Sequence, residues 1–261
     1  FSWSTGFVFS LNRDKLVELL GFDNDNDGKE DDLISERLFI GQPLRVNYDY
    51  ELAGGMYQLG DQIPAGADVG TYILIDQNTD GKFNPDDYKI LNYPDPSYRF
   101  SISNNITYKK WALNILINSI QGGKDYYYAA DNLHDRSDEV YSFNVPNDEQ
   151  HYTYTFPQGL DYWLPENPDA KYQRFDCKVS YIGSLYTQRN FIRVQDVSLS
   201  YSFNPESLNK VKINSLRFFL SGKNLITMTK WPGWDPETGI AIGMAGRPVL
   251  KSYTLGLDVE F

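Results

Sequence analysis

Tyr98-Arg99-Phe100-Ser101-Ile102-Ser103-Asn104-Asn105-Ile106-Thr107-Tyr108-Lys109-Lys110-Trp111-Ala112-Leu113-Asn114-Ile115-Leu116-Ile117-Asn118-Ser119-Ile120-Gln121 is the stretch that decides the fold. Phe100, Ile102, Ile106 and Tyr108 share one face of an extended chain, and Trp111, Leu113, Ile115 and Ile117 match them. A period of two means strand, and only Lys109-Lys110 separates the two halves, so the stretch predicts a hairpin with a two-residue turn. The same alternation recurs upstream, with Phe1, Trp3, Thr5, Phe7, Phe9 and Leu11 on one face and Ser2, Ser4, Gly6, Val8, Ser10 and Asn12 on the other. Downstream it returns near 191–203 (Val197, Leu199, Tyr201, Phe203) and near 214–226 (Leu216, Phe218, Leu220, with Phe219 spoiling the polar face). It ends the chain in Tyr253, Leu255, Leu257, Val259 and Phe261. Six strands are expected.

Their connections alternate in length. Residues 12–97, 122–188 and 227–247 are long, whereas 109–110 and 204–213 are short. Antiparallel counting puts all the long connections at one end, as in a transmembrane β-barrel with short periplasmic turns and long extracellular loops. With Phe261 on the periplasmic side, 12–97 and 122–188 become long extracellular loops. Hydrocarbon offers no hydrogen-bond partner, so membrane-spanning strands must pair in a closed sheet and turn their oily face to lipid. Phe1, Trp3, Tyr98, Tyr108, Trp111, Tyr201 and Phe261 suit the interfacial aromatic girdle. The competing reading is a soluble, calcium-stabilised β-sandwich acting as a binding or adhesion module. It requires Phe1, Phe7, Phe9, Leu255, Leu257 and Val259 to be buried inside the protein. Six strands do not close around a lumen, so the barrel reading needs upstream sequence or another chain. A start at Phe1-Ser2-Trp3, with neither Met nor a signal segment, agrees with a piece of something longer.

Composition removes other classes. The 261 residues are 41% hydrophobic, 15% aromatic and 23% charged, with mean hydropathy −0.49. No apolar run reaches the length of a membrane helix. Asp and Glu outnumber Lys and Arg by 35 to 24, a net charge of −11, which disfavours nucleic acid as a partner. Cys177 is the only cysteine, so an internal disulfide is impossible.

Much of the acidity sits in two glycine-punctuated runs. Asp76-Gln77-Asn78-Thr79-Asp80-Gly81-Lys82-Phe83-Asn84-Pro85-Asp86-Asp87 has oxygen side chains at positions 1, 3 and 5, Gly at 6 and a carboxylate at 12. That is the register of a calcium loop, in which Asp76, Asn78, Asp80, the carbonyl of Lys82 and Asp87 supply hard oxygens. Asp23-Asn24-Asp25-Asn26-Asp27-Gly28 repeats the first half, so 23–32 is a second candidate built on Asp23, Asp25 and Asp27, but its twelfth position is Ile34. Solvated Asp/Asn/Gly turns are the plainer alternative for both. No catalytic constellation emerges: His134 and His151 lack metal-ligand spacing, and Cys177 reads as a packing thiol, so no enzyme is expected. The 122–188 connection carries Tyr126, Tyr127, Tyr128, Tyr141, Phe143, Tyr152, Tyr154, Phe156, Tyr162 and Trp163, which suit either a binding surface or a loop core.

Several longer motifs converge on one family. They are Tyr162-Trp163-Leu164-Pro165-Glu166-Asn167-Pro168-Asp169-Ala170-Lys171-Tyr172-Gln173-Arg174, Phe191-Ile192-Arg193-Val194-Gln195-Asp196-Val197-Ser198-Leu199-Ser200-Tyr201, Ser221-Gly222-Lys223-Asn224-Leu225 and Pro232-Gly233-Trp234-Asp235-Pro236-Glu237, followed by the closing strand to Phe261. In order and spacing the chain resembles the C-terminal part of the β-barrel of SusC-like TonB-dependent outer-membrane transporters. The resemblance implies an all-β transmembrane antiparallel barrel of about 22 strands with a plugged lumen, of which residues 1–261 supply roughly the last six strands. It also implies location in the outer membrane, a SusD-like surface lipoprotein over the extracellular mouth, and energy from TonB acting on a plug domain that this chain lacks. The implied activity is import of oligosaccharides, with oligopeptides as the alternative cargo.

Overall fold

The computed structural model describes residues 1–24, 26–126, 161–174, 183–204, 212–238 and 248–261. Its frame is one six-stranded antiparallel sheet of β1 (Ser2–Ser10), β6 (Pro96–Tyr108), β7 (Trp111–Gly122), β10 (Phe191–Ser202), β11 (Ser215–Thr229) and β12 (Ser252–Glu260), paired in that order. Each long strand therefore lies beside its neighbour in sequence, the up-and-down order of a barrel wall. Tyr108 pairs with Trp111 across Lys109-Lys110, the expected two-residue turn, with Lys109 at φ 53°.

Register sorts the side chains into rows that cross the whole sheet. Trp3, Ile106, Leu113, Leu199, Leu220 and Leu255 are successive partners on one face. Shifting by one residue gives Ser4, Asn105, Asn114, Ser198, Ser221 and Thr254 on the other. One face is thus built to meet hydrocarbon and the other to meet water. Toward the turn end the apolar face finishes in Tyr108, Trp111, Tyr201, Phe218 and Leu257, where Trp111 and Tyr201 lie 4.8 Å apart. Phe1, Phe7, Phe9, Leu255 and Leu257 are all exposed, Phe7 by 63% and Leu255 by 66%. The sandwich reading needed these side chains buried, and among the described residues no second sheet covers them, so it fails.

Two local devices adjust the rows. Gln195 has no partner at a β-bulge between Val194 and Asp196, so Val194 and Val197 share the apolar face despite their odd spacing. Phe219, on the polar face, lies over Gly256, where a Cβ would stand only 2.2 Å from the ring.

All three long connections leave the sheet at the end opposite the Lys109-Lys110 turn and Phe261. They are not plain loops. The first contains β2 (Asn47–Tyr50) paired with β5 (Tyr88–Asn92) and β3 (Leu52–Met56) paired with β4 (Tyr72–Leu74); the second contains β8 (Lys124–Tyr126) paired with β9 (Tyr186–Gln188). Among the described residues the only helical pieces are two single 3-10 turns, Ile34–Glu36 and Pro85–Asp87, and no helix is long and apolar enough to cross a membrane.

Candidate functional site

The long-connection end has an apolar core of its own. Tyr50, Met56, Tyr72 and Leu74 of the first connection bury against Trp163 and Ala170 of the second, with Phe83 and Tyr88 packed at the margin. Trp163 is 2% exposed, and its indole N–H donates to Gln58 Oε1 at 3.0 Å. Trp163 is therefore a core residue rather than part of an outer binding surface. Gly70 makes this contact possible: at φ +82° it lets the indole close in so far that a Cβ would sit 2.4 Å from Trp163 Cε3. The Arg174 amide donates to Gly70 O at 2.7 Å, and Gln173 Oε1 accepts from the Tyr72 amide. The motif from Tyr162 to Arg174 thus clips the two connections into one body.

The 76–87 loop hangs from this core by Phe83, whose ring meets Tyr50 edge-on at 6.4 Å. Asp76 Oδ2 accepts from the Gly81 amide, Asn78 Oδ1 from Asp80 and Asp80 Oδ1 from Lys82, the contacts that curl such a loop. Asp87 is fully buried and pins both flanks, accepting from the Gln77 and Asn84 amides. One polar atom is left over: Asp76 Oδ1 is buried without a hydrogen-bond partner. In the 23–32 turn, Asp23 accepts from the Asp27 and Gly28 amides and Asp27 from Lys29, while Asp31 caps Asn24 and Glu30 binds the Leu19 and Gly21 amides. Asp25, His134, His151 and Cys177 lie outside the described residues, as do Tyr127, Tyr128, Tyr141, Phe143, Tyr152, Tyr154 and Phe156. Among the described residues no group of three His, Cys, Asp or Glu side chains is arranged to hold a metal ion.

A second constellation stands where the β11–β12 connection folds back over the polar face. Arg193, with 4% of its side chain exposed, reaches Asp235 through Nη2 and Glu237 through Nη1 at 2.9 Å. Its Nε donates to Thr227 Oγ1 at 3.0 Å, and its guanidinium stacks 4.6 Å from the buried Phe191 ring. Arg189 completes the clamp by donating to the carbonyls of Pro236 and Glu237, both at 2.8 Å. Planar guanidinium groups suit such multidentate work. The clamped segment leaves Trp234 66% exposed beside the buried Trp231. No spacing rule in the sequence singled out these arginines; Arg193 lay in a family motif and Arg189 just before it.

Burial governs the titration of Asp49 and Tyr50 at this end. Desolvation raises the pKa of Asp49 above the ordinary carboxylate value, against the lowering effect of hydrogen bonds from the Tyr50 amide and the Tyr186 hydroxyl. Tyr50 is pushed up in the same way, first by burial and then by Tyr88.

No protein-family profile matches the chain. Comparison with curated proteins finds TonB-dependent receptors P3, P26 and P39 of Formosa agariphila, 25%, 26% and 27% identical. Each alignment covers the whole chain, and the chain spans only 27–28% of the length of these relatives. Among solved structures, the RagAB peptide importer in its open-open state superposes with a TM-score of 0.64 at 18% identity, over 99% of this chain and 26% of that one. The RagAB peptide importer in its closed-closed state gives 0.63 at 20% identity, over 99% and 27%.

Proposed function

We infer that this chain, a relative of SusC-like TonB-dependent receptors that carries the wall of an outer-membrane β-barrel, serves TonB-dependent import of oligosaccharides. The observation that carries the reading is the pair of rows across the sheet, one wholly apolar and one wholly polar, with every long connection at the same end. In this reading residues 1–261 form the C-terminal part of a barrel of about 22 strands. The connections 12–97 and 122–188 face the cell exterior, where a SusD-like lipoprotein closes over them. TonB acts through a plug domain encoded elsewhere in the protein. The cargo is bound and passed; no bond is made or broken.

The test is uptake of fluorescent oligosaccharides by cells producing the full-length protein. Uptake that stops when a protonophore removes the energy source is expected, and equal uptake by cells lacking the protein would overturn the reading. Oligopeptide import is the second reading, favoured by the peptide importers among the structural neighbours. Competition by unlabelled peptides, but not by sugars, would select it.

We also propose a Ca2+ ion in the 76–87 loop. Asp76, Asn78, Asp80, the Lys82 carbonyl and Asp87 would hold it, and the unpartnered Asp76 Oδ1 supports the fit. The ion would supply loop rigidity, not chemistry. A second cation at 23–32 would draw on Asp23, Asp25 and Asp27. Chelation is expected to speed proteolysis within 76–87 while the barrel stays folded, and unchanged cleavage would remove the proposal.

A further inference from the structure

The apolar face of the sheet is interrupted near its middle by polar side chains on β1 and β6. Thr5 and Asn104 are partners in the row that continues through Ile115, Val197, Gly222 and Tyr253. On β6 the same face carries Tyr98 toward the long connections and Tyr108 at the turn. That length of strand, at about 3.3 Å per residue and a tilt of about 40°, spans about 25 Å, the height of the apolar band of a membrane barrel. Asn104 therefore lies about 10 Å inside the nearer ring, at the depth of acyl chains. Its Oδ1 is well served, accepting from the Trp3 indole N–H at 3.1 Å and the Thr5 hydroxyl at 2.8 Å. Among the described residues its amide N–H groups donate to nothing.

An amide N–H in hydrocarbon without an acceptor is costly. Lipid chains have no acceptor to give, and water does not reach this depth. A further strand hydrogen-bonded to the free edge of β1 would lie two strand spacings, about 9.5 Å, from β6, with Trp3 and Thr5 in between. The acceptor must therefore arrive face-on, from a protein lying against the wall. The surroundings have the composition of such a contact. Trp3 and Phe7 are each 63% exposed, and along the same seam Phe7 stands 6.3 Å from Phe100 and Phe9 stacks 5.7 Å from Tyr98. Exposed rings around a hydrogen-bonding centre suit an interface core, and within a membrane polar side chains act as glue between proteins. The seam is also self-complementary. Thr5 Oγ1 gives its hydrogen to Asn104 yet keeps a lone pair. A second copy turned about a two-fold axis would present that oxygen to an Asn104 N–H of the first and receive the same bond in return.

We propose that the β1–β6 seam is a contact surface between two copies of this barrel within the membrane, centred on Asn104, Thr5 and Trp3. The proposal rests on the barrel wall and makes no use of the cargo, so its failure would leave the import reading standing. The test is cross-linking of the full-length protein in native outer membranes, with its own cysteines replaced by serine. Ile102→Cys stands two residues from Asn104 on the same face, whereas Leu255→Cys stands on β12, at the other edge of the sheet. With a short thiol cross-linker, Ile102→Cys is expected to give a dimer band and Leu255→Cys none. Adding Asn104→Leu to Ile102→Cys should cut the dimer fraction on the order of tenfold, as loss of two reciprocal hydrogen bonds implies, while the barrel keeps its folded mobility on unheated gels. The Ile102→Cys result keeps Asn104 in place, so it stands whether or not the double variant folds. No band at Ile102→Cys, a band of another mass, equal bands at both positions, or a dimer that Asn104→Leu leaves intact overturns the proposal.

Discussion

Replacing Arg193 with Met separates the worth of an ion pair from the cost of orphaning its partner. Arg193 and Asp235 each have only 4% of their side chains exposed, so the substitution leaves the Asp235 carboxylate buried with its cation gone. Breaking a buried pair from one side costs about 3–5 kcal/mol. The Thr227 hydroxyl loses the Nε hydrogen bond, and Glu237, 46% exposed, is hydrated instead. Arg189 still grips the Pro236 and Glu237 carbonyls, so the segment loosens without leaving. At about 1.4 kcal/mol per factor of ten, opening of residues 231–237 should rise on the order of a hundredfold or more. Hydrogen exchange of the Trp231 amide, which donates to Thr229 Oγ1 at 3.0 Å and keeps that acceptor in every variant, reads this directly. The double variant Arg193→Met with Asp235→Leu removes both charges and should recover most of the lost protection. A single variant that exchanges like the native protein, or a double variant no better than the single, would refute the buried-pair account.

Gly70→Ala should cost the loop body about 3 kcal/mol, because it combines a left-handed backbone with a Cβ 2.4 Å from Trp163; protection of the Arg174 amide is the measurement. Ile115→Arg, on the apolar face, should destabilise the folded barrel in lipid by about 2–4 kcal/mol, whereas Asn114→Arg, on the polar face, should be tolerated; equal effects would reverse the assignment of faces. Because Asp49 has a raised folded pKa, its contribution to stability is fully present below the unfolded carboxylate value and is lost as pH rises through the raised one. Asp49→Asn should flatten that part of the pH profile of loop-body unfolding.

The sheet was legible because its signal repeats. Alternation in Phe1–Leu11, Tyr98–Gln121 and Tyr253–Phe261 locates strands whose faces meet different solvents, and the connection lengths fix which ends coincide. Legibility failed where geometry is set by partners distant in sequence. Upstream of Val197 the alternation changes phase at Gln195, and nothing local in the sequence marks that residue as bulged. Phe219 looked like an error in a polar face until Gly256 proved to lie opposite it. Trp163 could be read as a surface ring, because its burial depends on Gly70 and Gln58, about a hundred residues away in the chain. Arg193 carried no recognisable spacing because Asp235 and Glu237 come to it from a neighbouring strand connection. The acidic turns were the easier case: those around Gly81 and Gly28 are local, and Asp76, Asn78 and Asp80 curl the chain by accepting from amides two to five residues on.

The two ends of the sheet solve opposite problems. At the turn end, two lysines reverse β6 into β7, and the apolar face stops in a row of rings, so little is offered to a partner. At the other end, more chain is spent on connections than on strands, and that chain has its own core. Trp163 and Ala170 come from one connection, whereas Tyr50, Met56, Tyr72 and Leu74 come from another, so neither can move far without exposing the other. Arg189 and Arg193 tie the third connection to β10 and the residues beside it. Connections held this way lose less entropy on meeting a ligand than free loops would, which suits them to the cargo capture proposed above. The acidic 76–87 turn belongs to this body through Phe83, so the cation proposed there would act on the shape of the connections and not on the sheet. If the proposed cation and cargo are both bound, removing the cation should weaken cargo binding before it weakens the sheet. The two effects are separable by titrating cargo retention and barrel unfolding against the same chelator.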